Sequence, residues 1–174
     1  MSLRPARIYR DTPGQPYTRM SQKAEDNYIS GAPAPKISQF ENGATSKEFE
    51  DEVRVRLTVE DDCSIRGNAL EAARVAANSH LRKELGIEHY HLTVKVYPHH
   101  VLRHHPLAGV AQADRYYEGM RKPFGRPTGR AAIVDEQQEI MYVRAPGKEA
   151  QTARKALERA GKKIPAGYRV KLDD

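Results

Sequence analysis

The sequence predicts an α+β fold: two helices packed on one side of a mainly antiparallel or mixed sheet, with an extended basic N-terminal arm and a long internal loop. Three observations predict it. Apolar residues alternate with polar ones at Val53, Val55, Leu57 and Val59, and again from His91 to Tyr97, which is the period of half-buried strands. Two stretches, Asn68 to Leu85 and the one opened by Pro146-Gly147, carry apolar residues at helical spacing. The run from Ala108 to Arg130 carries neither period.

Composition narrows the function classes. At 174 residues there is room for one core-bearing domain plus extensions. Hydrophobic residues are 39% of the chain, so the core must be modest, and a net charge of +6 favours a polyanionic partner. Cys63 is the single cysteine and no Cys-x-x-Cys pair accompanies the seven histidines, so neither a disulfide nor a zinc framework is expected and the chain reads as cytosolic. Met1 to Arg10 has basic residues with no apolar run after them, and no stretch is apolar enough to span a bilayer.

The chain divides at about residue 45, into an arm over 1–45 and a single α+β body over 46–174. In the arm, Arg4, Arg7, Arg10, Arg19, Lys23 and Lys36 are interleaved with Tyr9, Tyr17, Tyr28 and Phe40, and five prolines exclude a long helix or central strand. Such a segment cannot offset its own ordering entropy, so it is expected to be disordered or laid along a partner. Arginine with tyrosine suits folded RNA, where guanidinium groups meet phosphates and rings stack on splayed bases.

The body opens with the strand from Val53 to Val59. Asn68, three residues before Glu71, predicts an N-cap for a helix to Leu85, whose alanines at 69, 72, 73, 76 and 77 allow close packing on the sheet. His91 to Tyr97 is the next strand, followed by the histidine-rich run His99 to His105. Imidazoles can ligate a metal, but no carboxylate or thiol adjoins them, so no metal is expected; hydrogen bonding beside a phosphate surface is the better use. After the loop, Ala131 to Val134 and Ile140 to Val143 predict a hairpin closed by the turn Asp135 to Gln138. The second helix has a stripe of Ala150, Ala153, Leu157 and Ala160 under a cationic surface, and Tyr168, Val170 and Leu172 predict a closing strand.

The loop over 108–130 mixes glycine, cation and ring: Gly119 and Gly125 for backbone freedom, Arg115, Arg121, Lys122 and Arg126 for phosphates, Tyr116 and Phe124 for stacking. Phe124 suits either an anchor in the core or a stacking platform.

Two segments, Ile65 to Asn78 (IRGNALEAARVAAN) and Gly119 to Pro127 (GMRKPFGRP), closely resemble the archaeal and eukaryotic large-subunit ribosomal protein family called "L ten e", the counterpart of bacterial "L sixteen". Pro5-Ala6, Tyr9-Arg10, Pro16 to Arg19 and Tyr28 to Gly31 extend the resemblance into the arm, while Met20 to Asp26 stands as an insertion and Gly67 replaces a frequent histidine. The resemblance implies a structural constituent of the large subunit, without catalytic residues or cofactors, in the cytoplasm. It implies as partners large-subunit rRNA around the central protuberance, tRNA and neighbouring ribosomal proteins, with no membrane and no homo-oligomer. The rRNA-contacting candidates are Arg4, Arg7, Tyr9, Arg10, Tyr17, Arg19, Lys36, Arg66, Arg74, Arg103, Lys122 and Arg126. By the same resemblance Gln112, Asp114, Arg115, Tyr116, Gly119, Met120 and Arg121 approach the acceptor ends of tRNA near the peptidyl transferase centre. Two alternatives compete: a sequence-tolerant single-stranded RNA or DNA module acting off the ribosome, and an enzyme using His100 or His105 with Asp114 as acid and base. The enzyme has no nucleophile or phosphate-loop motif to support it.

Overall fold

A computed structural model of the chain describes residues 5–11, 14–18, 29, 31–49, 51–105 and 123–173. Strand β2 (Glu52–Val59) buries Val55, Leu57 and Val59 and turns Arg54 and Arg56 to the other side, as the alternation requires. It pairs antiparallel with β7 (Glu139–Pro146) on one edge and β8 (Tyr168–Asp173) on the other. With β4 (His91–Val94) and β1 (Glu41–Gly43) these make a five-stranded sheet in the order β1-β4-β7-β2-β8. A second sheet has three strands, β3 (Cys63–Arg66), β6 (Arg126–Val134) and β5 (His100–His104), in the order β3-β6-β5.

The expectation of one sheet is therefore corrected to two, and among the described residues every pairing is antiparallel, within the expected mainly antiparallel or mixed arrangement. The expected hairpin is corrected as well: β6 and β7 lie in different sheets and do not pair with each other. Thr58 stands opposite Glu139 and Cys63 opposite Val134, so β2-β3 and β6-β7 form one antiparallel ribbon folded at a corner. A β-bulge at Leu57/Thr58 begins the bend, and Gln137 at φ 61° completes the turn on the other strand. The turn is held by the Asp135 N–H donating to Gln138 Oε1 at 2.9 Å and the Glu136 N–H donating to Asp62 Oδ1 at 2.6 Å. Polar turn residues between two short strands serve a sheet corner as well as a hairpin, which is why local pattern misassigns the pairing.

Helix α1 (Gly67–Glu84) follows β3 directly, and α2 (Ala150–Gly161) follows a 3-10 turn at Gly147–Glu149. Asn68 is not the N-cap: Arg66 occupies that position without a side-chain cap bond, and Asn68 lies inside the first turn. Leu70, Ala73, Ala77 and Leu81 of α1 face Ala153, Ala156, Leu157 and Ala160 of α2 in one core with Val55, Leu57, Leu92, Met141 and Val143. Small residues at the helix contact let the axes approach closely while both helices still cover apolar surface. α2 lies on β2, β7 and β8, whereas α1 packs beside it and reaches β3 and β6. Ile37, expected in the arm, is 1% exposed and belongs to this core, and residues 41–43 add the edge strand β1.

Gly161 closes α2 against β8. A Cβ placed there would lie 2.5 Å from the ring of Tyr168, whose hydroxyl donates to the Glu158 carbonyl at 3.2 Å and so cannot swing away freely. Gly161→Ala is expected to lower stability by about 1–3 kcal/mol in urea unfolding. An unchanged midpoint would mean that the ring has another position at no cost.

Candidate nucleic-acid interface

The small sheet and the arm segments laid on it gather several of the candidate residues. Arg66 ends β3, and its guanidinium lies 4.8 Å over the ring of Tyr9, in a 3-10 turn at Ala6–Tyr9. Arg103, in β5, lies 3.9 Å over the ring of Tyr17. Tyr17 is held at its backbone on both sides: its N–H donates to His100 Nδ1 at 2.9 Å, and its carbonyl accepts from the Val101 N–H at 2.9 Å. Tyr9 and Tyr17 thus lie against the body, and each ring is covered by an arginine whose cation is attracted to the π face by about 0.5–1 kcal/mol.

Local irregularity aims these side chains. Leu102 pairs with Gly129 but Arg103 with Pro127, so Thr128 is the extra residue of a bulge, and its hydroxyl donates to the Leu102 carbonyl at 3.3 Å. Arg126 faces His104 at the end of the same ladder and is exposed. Gly125 has φ +92°, and a Cβ there would come within 3.0 Å of the His104 backbone. Only glycine fits, and the turn it makes leaves Phe124 82% exposed. The core-anchor role for Phe124 is therefore excluded. Residues 126–130, expected as loop, are strand.

Lys36 is exposed at the start of α1: a Cβ on Gly67 would lie 3.5 Å from both the Lys36 N and the Arg130 carbonyl oxygen. Arg130 itself donates to the Tyr97 hydroxyl at 3.3 Å, and the Tyr97 ring sits 5.9 Å from that of Phe40. Sequence reasoning had not selected Arg130 or Tyr97. Tyr97 stands on an exposed alternation position just before Pro98, which is the signal that was available.

Other candidates lie apart from this group. Arg7 is exposed in the 3-10 turn, and Arg10 donates through Nε to the Pro165 carbonyl at 3.3 Å, towards the loop before β8. Arg74 is 9% exposed, bound to Glu71 at 2.6 and 3.0 Å and to the Asn42 side chain, and its affinity for the proton is raised by the Glu71 bond against the opposing effect of burial. Its position in the stripe of Leu70, Ala73 and Ala77 marks it as an internal tie rather than a surface contact. Arg4, Arg19, Lys122 and the loop candidates Gln112, Asp114, Arg115, Tyr116, Gly119, Met120 and Arg121 lie outside the described residues.

The cations are not equally available. On the polar side of the five-stranded sheet Arg54 pairs with Glu139 at 2.6 Å, Arg56 with Asp173 at 2.9 Å, Arg144 with Glu52 at 3.5 Å and Arg169 with Glu60 at 2.9 Å. Among the described residues no carboxylate lies within ion-pair distance of Arg103. Burial pushes the Cys63 thiol up to about 11, aided by Asp61 and Asp62, so it offers no nucleophile. His100 is 8% exposed and is held below the ordinary imidazole value of 6.5 by burial first and then by His99 and Arg103, which keeps its Nδ1 free to accept. The phosphate-facing role expected for the histidines does not describe His100.

An α+β body that displays stacked arginine–tyrosine pairs on a small sheet has the chemistry to hold a polyanion. The model of the family "Ribosomal protein L16p/L10e" matches residues 13–171. A protein of Staphylothermus marinus named "Large ribosomal subunit protein uL16" is 43% identical over 170 residues, 98% of this chain and 93% of the relative. Proteins of the same name from Thermoplasma acidophilum and Methanocella arvoryzae are 41% and 39% identical over 98% and 99% of the chain, and 92% and 96% of their own lengths. This chain belongs to the L16p/L10e family of ribosomal proteins, a family of structural constituents rather than enzymes.

Because His100 is depressed in the folded state, the unfolded chain takes up a proton first as pH falls below about 6.5, and stability is lost over the interval down to the folded-state value. Protonation also removes the acceptor of the Tyr17 N–H. Hydrogen exchange, corrected for its intrinsic pH dependence, is expected to show Tyr17 losing protection as pH falls below the ordinary imidazole value of 6.5. Constant protection would mean that His100 does not hold the segment.

Proposed function

We propose that this chain is a structural constituent of the large ribosomal subunit in the cytoplasm, seated on large-subunit rRNA by the β3-β6-β5 side and the arm segments upon it. The family match over residues 13–171 carries the ribosomal part of this reading. The Arg103–Tyr17 stack and exposed Phe124 support the choice of side: a cation with no carboxylate partner among the described residues and a ring open to a base are what folded RNA with unstacked nucleotides engages. Arg7, Tyr9, Lys36, Arg66 and Arg126 extend the same contact, and by family resemblance Arg4, Arg19 and Lys122 join it. The arm segments around Tyr9 and Tyr17 then act as a strap on the body.

The finer role rests on resemblance. Residues Gln112, Asp114, Arg115, Tyr116, Gly119, Met120 and Arg121 help position tRNA near the peptidyl transferase centre, and neighbouring ribosomal proteins, not a second copy of this chain, complete the surroundings. Peptide-bond chemistry is left to the RNA.

The test is binding of the full chain to transcribed large-subunit rRNA and to an unstructured oligonucleotide, over a series of salt concentrations. Arg103→Ala should weaken binding to folded rRNA and lower the slope of log affinity against log salt by about one. Phe124→Ala should cost about 1–3 kcal/mol of binding with the melting temperature unchanged, since the ring is in solvent. Equal affinity for the oligonucleotide and for rRNA, untouched by either substitution, would favour a general single-strand module and overturn the assignment.

A further inference from the structure

α1 and α2 pack against each other, and between their last turns opens a cleft of about 420 Å³ lined by Ala76, Ser79, His80, Lys83, Glu84, Arg159, Lys162 and Lys163. Ser79, Lys83, Arg159, Lys162 and Lys163 are exposed. Among the described residues none of these four cations has a carboxylate within ion-pair distance, whereas the arginines Arg54, Arg56, Arg144 and Arg169 on the polar side of the five-stranded sheet are paired. Attraction to the helix carbonyl ends accounts for Lys83 on α1 and Arg159 on α2, one at a time. The same attraction reaches Lys162, the C-cap residue of α2, but it does not require Lys83 of one helix and Arg159, Lys162 and Lys163 at the end of the other to line one cleft.

His80 is the second observation. Only 8% of it is exposed, its Nδ1 is 4.0 Å from Glu84, and its Nε2 has no hydrogen-bond partner although buried. An unsatisfied buried polar atom is costly and calls for an explanation, which a ligand in the adjoining cleft supplies. Around the ring stand Arg159 and Lys155 of α2 and Lys83 and Glu84 of α1; burial first, and then Arg159, hold it below its ordinary value, and Glu84 opposes them. An incoming oxyanion reverses that balance and stabilises the protonated ring as a donor.

We propose that this cleft is a second seat for the sugar-phosphate backbone of RNA, in which Lys83, Arg159, Lys162 and Lys163 hold phosphate oxygens and His80 donates from Nε2. It goes beyond the contact on the small sheet, because Lys83 stands about 24 Å along α1 from Gly67, where that sheet ends. Two such seats on one rigid body would grip RNA at two separated points, raising affinity by effective concentration rather than by new sequence readout.

The test compares the full chain with Lys162→Ala/Lys163→Ala and with a charge-matched control, Lys148→Ala/Lys171→Ala, in binding to transcribed large-subunit rRNA. The cleft pair should lower the salt slope by about two and affinity about tenfold near 0.1 M salt, with the control within about twofold of the parent. Equal losses from the two pairs would reduce the effect to net charge and overturn the seat. In NMR, the His80 imidazole signals should move on adding a short A-form RNA duplex, and the ring should take up a proton as it binds. Signals that stay still with the duplex, or that move as far with inorganic phosphate alone at equal concentration, would also overturn it. Arg103→Ala reports on the small-sheet contact separately, so either surface can fail without the other.

Discussion

The close approach of α1 and α2 is the constraint from which the rest of the structure follows. A chain with 39% hydrophobic residues and a net charge of +6 has little apolar surface to spend, and it concentrates that surface where Ala73, Ala77, Ala153, Ala156 and Ala160 meet Leu70, Leu81 and Leu157. Because these contacts are small, the two helices share a single layer beside the five-stranded sheet, and that sheet's inner face of Val55, Leu57, Leu92, Met141 and Val143 is covered. The folded ribbon then turns the small sheet at a corner, where Cys63, Ile65, Ala132 and Val134 stay in the core and Arg103 and Arg126 lie at its far end. Packing at one place thereby frees the remaining surface to be cationic.

Charge is distributed according to what it must do. Where arginines stand on the polar side of the large sheet, carboxylates across the strands neutralise them, which suits a surface that contributes to folding and little to attraction. On the small sheet the Tyr17 ring covers Arg103, which has no carboxylate within ion-pair distance among the described residues, and the Tyr9 ring covers Arg66. A ring orients an arginine without cancelling its charge, which leaves the Arg103 guanidinium able to meet a phosphate. His100 joins the two halves of this device, since its acceptor nitrogen fixes the backbone of the residue whose ring Arg103 covers.

Much of this was legible in the residues, and the failures are physical. β2, β8 and both helices announce themselves because each has one wet and one dry side, which periodicity detects. β3 and β1 are short, and β3 is buried almost throughout, so neither presents an alternation; β5 hides in a run of histidines whose polarity masks a buried Val101. The corner at Asp135 to Gln138 has the composition of a hairpin, and partner choice between sheets is a long-range property that no local pattern encodes. Among the site residues, tyrosine and arginine were chosen by chemistry and several meet in space. Arg74 was chosen the same way, yet its place on the buried stripe of α1, three residues after Glu71, was the sign that it serves the interior. The families of contact made by Arg130 with Tyr97 and by Tyr17 with His100 depend on how distant segments dock, which only the fold supplies.

The account stands on the small sheet being the side that meets RNA. A density map of large subunits purified through a tag on this chain tests that most directly. The account predicts Arg103, Arg126 and Phe124 within contact distance of rRNA, with Arg54, Arg56 and Arg144 keeping their carboxylate partners. A map in which the small sheet faces solvent, or in which the chain is absent from the subunit, would contradict it.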